Sequence, residues 1–217
     1  MPRVLLHLCC GPCSITVVRD LRAEGFEVTG LFYNPNIHPL REYLRRREAA
    51  QQAAERMDLP VIFKDADYDP VLWLRAVAHR EANRCFHCYH LRLEYARAIA
   101  ANGNFDYFST TLLYSRHQRH DTIRDLGRDV AGPDAASDMG PLAGDGPDAA
   151  SGAPAPDAAA PPKKKARRAP GFLYRDFRSG WAEGIETSKA WGLYRQQYCA
   201  CLLSEFERYQ GELKRLS

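Results

Sequence analysis

Seven cysteines fall into three tight groups, and no cysteine lies outside them. The groups are Cys9, Cys10 and Cys13 near the N-terminus, Cys85 and Cys88 in the middle, and Cys199 and Cys201 near the C-terminus. Structural cysteines of a core would be scattered singly among apolar positions. Tight grouping is what a shared metal or redox centre demands, because its thiolates must meet at one point. The fold therefore has to bring three segments, distant in sequence, to one place. Four thiolates satisfy one tetrahedral ion or one iron–sulfur cluster. Seven exceed that by three, which points to a second metal or redox group.

The chain has 217 residues, enough for one domain or one domain with an appendage. Its hydrophobic and charged contents, 45% and 26%, are those of a globular protein. No apolar run approaches the roughly 20 residues that span a bilayer, so no membrane association is expected. The opening Met1-Pro-Arg-Val-Leu-Leu-His-Leu reads as a buried strand rather than a secretion signal. A cytoplasmic, reducing compartment follows, in which disulfides are disfavoured and metal or redox use of the cysteines is favoured. A net charge of +3 permits nucleic-acid binding without requiring it.

Residues 128–170 differ from the rest. They hold most of the prolines, many alanines and glycines, and almost no large apolar side chains. Such a stretch buries too little surface to offset its ordering entropy. It is expected to be a disordered insertion in one catalytic domain made of residues 1–127 and 171–217. Its basic run, Lys163-Lys164-Lys165-Ala166-Arg167-Arg168, is either an electrostatic hook for RNA or a solvated linker.

Elsewhere strands and helices alternate. Strands are expected near Val4–Leu8, Glu27–Tyr33, Val61–Lys64 and Phe105–Thr111. Helices are expected over Ile15–Ala23, 40–57, 70–79 and 86–101, from about Gln118, and near Trp181–Trp191, with a closing amphipathic helix. A loop is expected directly after the insertion. The order predicts an α/β fold: a parallel, Rossmann-like sheet of the HUP/ATP-pyrophosphatase-like kind, flanked by helices, with a helical C-terminal part. Ligands of such sheets sit at the carboxyl ends of the strands, where the first cysteine group falls.

Within that group, Cys10-Gly11-Pro12-Cys13 reproduces the redox tetrapeptide of thioredoxins. The following helix N-terminus would favour thiolates. Thioredoxins have no use for Cys9 or for four further paired cysteines. Cys85-Phe86-His87-Cys88 has the gap that lets two sulfurs reach one metal at a helix start, with His87 and His90 as further candidate ligands. Cys199-Ala200-Cys201 places two sulfurs on one side of an extended segment.

Six segments together resemble the cobalamin-independent epoxyqueuosine reductases of the QueH family. They are His7-Leu8-Cys9-Cys10-Gly11-Pro12-Cys13, Tyr33-Asn34-Pro35-Asn36-Ile37-His38-Pro39, and Cys85-Phe86-His87-Cys88-Tyr89 with Arg92-Leu93. The others are Ser109-Thr110-Thr111-Leu112-Leu113, Phe172-Leu173-Tyr174-Arg175-Asp176-Phe177-Arg178, and Gly192 to Cys201. The resemblance covers the chain outside the insertion. Ala200 departs from it, standing where a glycine is usual.

The resemblance implies reduction of epoxyqueuosine to queuosine at the wobble position of tRNA. It implies a [4Fe–4S] cluster, a second metal ion expected to be iron, and an external low-potential electron donor. All seven cysteines are expected to serve these two centres, without a division between them. Asp176 or Tyr174 is the expected proton donor, Asp176 having the alternative of an ion pair with Arg175 or Arg178. Tyr33, Tyr174 and Tyr194 are candidates to stack on the base. Asn34, Asn36, Arg175 and Arg178 join the substrate and tRNA set, and Arg41, with Arg45, Arg46 and Arg47, is expected on phosphates or on a solvated helix face. Two other readings are a tRNA-thiolating enzyme of ATP-pyrophosphatase type and a non-enzymatic zinc-binding RNA module. The first needs a Gly-rich phosphate loop, and Cys9-Cys10-Gly11-Pro12-Cys13-Ser14 stands in its place.

Overall fold

The computed structural model describes residues 1–133, 169–213 and 215. Most of the expected insertion, including the basic run at 163–168, lies outside the described residues. Five strands form one parallel sheet: β1 Arg3–His7, β2 Glu27–Phe32, β3 Val61–Phe63, β4 Tyr107–Thr110 and β5 Gly171–Phe172, in the order β3-β2-β1-β4-β5. The central strand β1 is apolar on both faces, with Val4, Leu5 and Leu6 fully buried, as expected of a strand covered by helices on both sides. Seven helices complete the fold: α1 Ile15–Ala23, α2 Leu40–Arg56, α3 Pro70–Val77, α4 Arg84–Asn102, α5 His120–Ala131, α6 Trp181–Ala190 and α7 Leu202–Leu213. None is long and apolar enough to cross a membrane.

Besides shifts of one or two residues at element ends, two features differ from the sequence expectation. Helix α5 runs to Ala131, past residue 127, because Leu126 and Ala131 continue its buried stripe. Gly171–Phe172, expected as a loop, is a fifth strand paired with β4, and Phe172 packs on Phe108. A two-residue strand is too short to show any periodicity.

The chain leaves β1 toward β2 on one side and later returns to β4 on the other. The strand order therefore reverses at β1, which opens a crevice at its carboxyl end. Cys9, Asn34 and Leu112, each just past the end of β1, β2 or β4, line that crevice.

Candidate metal centre

Beneath the first cysteine group, at the end of β1, is His7, which has no exposed surface. Its Nε2 lies 3.1 Å from the Tyr33 carbonyl oxygen and its Nδ1 2.9 Å from Thr110 Oγ1. A carbonyl only accepts, so Nε2 carries the proton and Nδ1 accepts from the Thr110 hydroxyl. The ring thus ties together the carboxyl ends of three strands. Burial, helped by the positive charge of Arg92, holds its pKa down at about 3, so it is neutral.

Above it, the Cys9 N–H donates to Thr111 Oγ1 at 2.9 Å, and that hydroxyl donates to Cys9 Sγ at 3.2 Å. A 3-10 turn at Pro12–Ser14 then folds Cys13 back toward Cys10. The Sγ atoms of Cys9, Cys10 and Cys13 all lie within 4.8 Å of one another. Disulfides are disfavoured by the sequence reading of the compartment, yet Cys10 and Cys13 form one. Their two-residue gap in a tight turn puts the Cα atoms 5.5 Å apart, within disulfide reach.

The second group opens α4, where Cys85 and Cys88 lie one turn apart. Cys88 packs with Trp73, Val77 and Cys201 in a small buried cluster. The third group, expected in an extended segment, lies in a loop that bends at 197–198 and 200–201 and is pinned to α2 and to the turn after β2. Arg46 donates to the carbonyls of Cys199 at 2.5 Å and Tyr198 at 3.1 Å, while the His38 N–H donates to the Ala200 carbonyl at 2.9 Å. Gln118 Nε2 donates to Cys199 Sγ at 3.3 Å.

All three groups face one cavity of about 690 Å³, lined by Cys9, Cys13, Cys85, Cys88, Cys199 and Cys201, with Cys10 buried behind Cys13. Burial, with the charge of Cys199 added, pushes up the thiols of Cys9, Cys85 and Cys88, the last to about 11. Such thiols stay protonated at neutral pH unless a cation deprotonates them on binding. The donor set fits that use: soft sulfur ligands converge, with a buried guanidinium, Arg92, 3.2 Å from Cys88 Sγ.

The other expected site residues divide. Asn34 and Asn36 line the cavity, each with a buried side-chain oxygen that has no hydrogen-bond partner among the described residues by distance and angle. Arg46 also lines it, and the remaining candidates lie outside its lining. Asp176 takes its alternative of an ion pair: it caps the turn at Phe177–Gly180 and pairs with Arg178 at 2.5 Å, which, with further help from the Arg178 N–H, holds its pKa near 2. Tyr174 is bonded to His120 Nε2 at 3.0 Å, and Arg175 to Glu24 at 2.9 Å. Tyr33 is buried and stacked on Tyr95, with ring centres 3.6 Å apart. The Tyr194 hydroxyl donates to Glu42 at 2.6 Å. Arg41 is exposed on α2, whereas Arg46 is buried against Glu42 at 2.7 Å and is thereby removed from phosphate contact. Arg47 pairs with Asp65, and the exposed His90 with Glu94.

The sequence reading put Arg46 on phosphates or a solvated helix face, and it assigned no role to several other residues that line the cavity. Arg46 and Arg92 hold the cysteine segments, Trp73, Tyr89, Tyr114 and Trp181 supply aromatic wall, and Arg119, Arg195 and Arg208 stand exposed on the lining. The helical spacing of Arg92 from Cys85 and Cys88 was a usable signal. Nothing local marked the three exposed arginines.

Fold and site together define an α/β protein with a cysteine-lined centre, suited to thiolate-bound metal, at the reversal point of a parallel sheet. A family model described as epoxyqueuosine reductase QueH matches residues 4–138 and 159–207. Similar curated proteins bear the same name. The one from Dehalococcoides mccartyi is 31% identical over 96% of this chain and 95% of its own length. The one from Thermotoga maritima is 30% identical over 96% and 93%, and the one from Histophilus somni 32% identical over 93% and 72%. The chain belongs to the QueH family of epoxyqueuosine reductases, and it is an oxidoreductase.

Proposed function

We propose that this chain reduces epoxyqueuosine to queuosine at the wobble position of tRNA in the cytoplasm. The observation that carries this reading is the convergence of three cysteine groups on one cavity in a member of this family. The overall change is removal of the epoxide oxygen as water with two electrons and two protons, leaving a carbon–carbon double bond.

Cys85, Cys88, Cys199 and Cys201 form the four-thiolate set that a [4Fe–4S] cluster requires. Cys9, Cys10 and Cys13, once reduced, are close enough for one further ion, expected to be iron, since metal–sulfur bonds are about 2.3 Å long. When bound, these groups supply electrons drawn singly from an external low-potential donor and a Lewis acid for the epoxide oxygen. The protein's own part is to hold the base and deliver protons. A single-stranded wobble base can be splayed out and stacked on an aromatic ring. The half-buried rings of Trp181 and Tyr198 on the cavity wall suit that role, in place of Tyr33 and Tyr194. His117, whose ring lies edge-on to Trp181 at 5.4 Å, replaces Asp176 as proton donor. Arg119, Arg195 and Arg208 meet the phosphates of the anticodon loop.

Anaerobic purification followed by iron and sulfide analysis, and turnover of tRNA carrying epoxyqueuosine, tests this reading. A brown protein that forms queuosine is expected. Cys88→Ser should strip the cluster, and Cys9→Ser should leave the colour but abolish turnover. A colourless, zinc-bearing protein without turnover would sink the reading and leave the RNA-binding module.

A further inference from the structure

Arg92 lies on α4 one turn beyond Cys88 and two beyond Cys85, on the same face. It is 2% exposed and lines the cysteine cavity. Its Nε donates to the Cys88 carbonyl at 3.0 Å and its Nη2 to Cys88 Sγ at 3.2 Å. Arg46, equally buried, has the Glu42 carboxylate as partner. Among the described residues no carboxylate pairs with Arg92. The acidic groups near enough to act on its charge are the thiols of Cys88, Cys199 and Cys9, one from each cysteine group, followed by the phenol of Tyr89. The Tyr89 ring, 5.8 Å away, gives only a weak cation–π contact.

A guanidinium buried without a counter-charge is strongly disfavoured. Neutral thiols do not compensate it, whereas thiolates on a metal centre do. The arrangement suits an occupied site. Resting on the functional reading above, we infer that Arg92 is the resident counter-cation of the cysteine centre. It acts as a positioning residue that holds the thiolate charge in place and raises the potential at which the centre accepts an electron. The sign follows from charge. Reduction makes a thiolate-bound cluster more negative, so a fixed cation and an N–H···S bond beside it favour the reduced form.

The test uses the iron-loaded protein, prepared anaerobically, as wild type and as Arg92→Met, Arg92→Gln and Arg92→Lys. Redox titration followed by absorbance should give a more negative midpoint for the Met and Gln variants and a midpoint near wild type for Lys. Iron release to a chelator should be at least tenfold faster in Met and Gln than in wild type. The metal-free Met variant should unfold at a urea concentration equal to or above that of metal-free wild type, because the uncompensated charge is gone. A purely structural role would instead lower both forms alike and leave the potential unmoved. If the Met variant does not fold, Gln decides, since it keeps a donor without the charge. Unchanged potential and iron retention in Gln would overturn the inference while leaving the reductase reading intact. A wild-type chain that takes up no cluster would overturn both.

Discussion

Two arginines on α2, five residues apart, show how much a single residue's role depends on its face. Arg41 is exposed, whereas Arg46 falls in the stripe of Tyr43, Ala50 and Ala53 and is buried. That stripe was legible as helical periodicity, but charge suggested an outward face. Glu42, one turn earlier, is what permits the burial. His7 is a comparable case, since a histidine inside a strand carries no mark of its protonation state. Its folded pKa, about 3, is below the ordinary 6.5, so the unfolded chain binds the proton first. The stabilising contribution is therefore complete above pH 6.5 and is lost as pH falls toward 3. At pH 5 the loss should be about 2 kcal/mol relative to pH 7, from 1.36 kcal/mol per pKa unit. Urea unfolding of wild type and His7→Gln, in the same metal state, should show the glutamine variant less stable at pH 7 and the gap narrowing by about that amount at pH 5. Parallel pH profiles would refute the buried neutral imidazole.

The turn between β1 and α1 is held by its own hydrogen bonds, Ser14 N–H and Oγ to the Gly11 carbonyl at 3.0 and 2.6 Å, and by contact with a helix. A Cβ on Gly11 would lie 2.3 Å from the Ala49 carbonyl oxygen and 2.6 Å from its carbonyl carbon, both backbone atoms in the middle of α2. Neither atom can swing aside as a side chain would. Gly11→Ala should force the cysteine turn and α2 apart, costing about 1–3 kcal/mol as overpacking does. Because α2 also holds Cys199 through Arg46, the same change should lower the iron bound per chain. A variant with wild-type unfolding midpoint and iron content would show that the turn has slack. The long elements were legible because apolar periodicity repeats over many residues, as along α2 and α4. Strand β5 was not legible because its pairing with β4 is a tertiary fact.

For the whole molecule, three grouped cysteine motifs in an alternating β/α pattern were enough to anticipate one site at the carboxyl edge of the sheet. The surroundings of that site were not legible, because Trp73, Gln118 and Trp181 reach it from α3, the stretch before α5 and the start of α6. The insertion poses the remaining question at this scale. The family match passes over residues 139–158. On either side of them the chain is anchored at one corner: a Cβ on Gly127 of α5 would meet the Phe172 ring of β5 at 2.3 Å, and the Gly171 N–H donates to the Asp106 carbonyl at 2.9 Å. Both anchors are made between described residues. Loop-closure entropy changes by only about 0.6 kcal/mol per doubling of length. Removing residues 139–158 should therefore leave the unfolding free energy within about 1 kcal/mol of wild type, with iron content and turnover unchanged. Extending the deletion through residue 168 also removes Lys163, Lys164, Lys165, Arg167 and Arg168. If those side chains neutralise tRNA phosphates, the longer deletion should weaken tRNA binding at low salt. It should also flatten the dependence of log affinity on log salt by about 0.7–0.9 per lost contact. Equal affinity and equal salt slope in the two deletions would assign the run no role in binding. A colourless shorter deletion would show that the segment supports the metal centre.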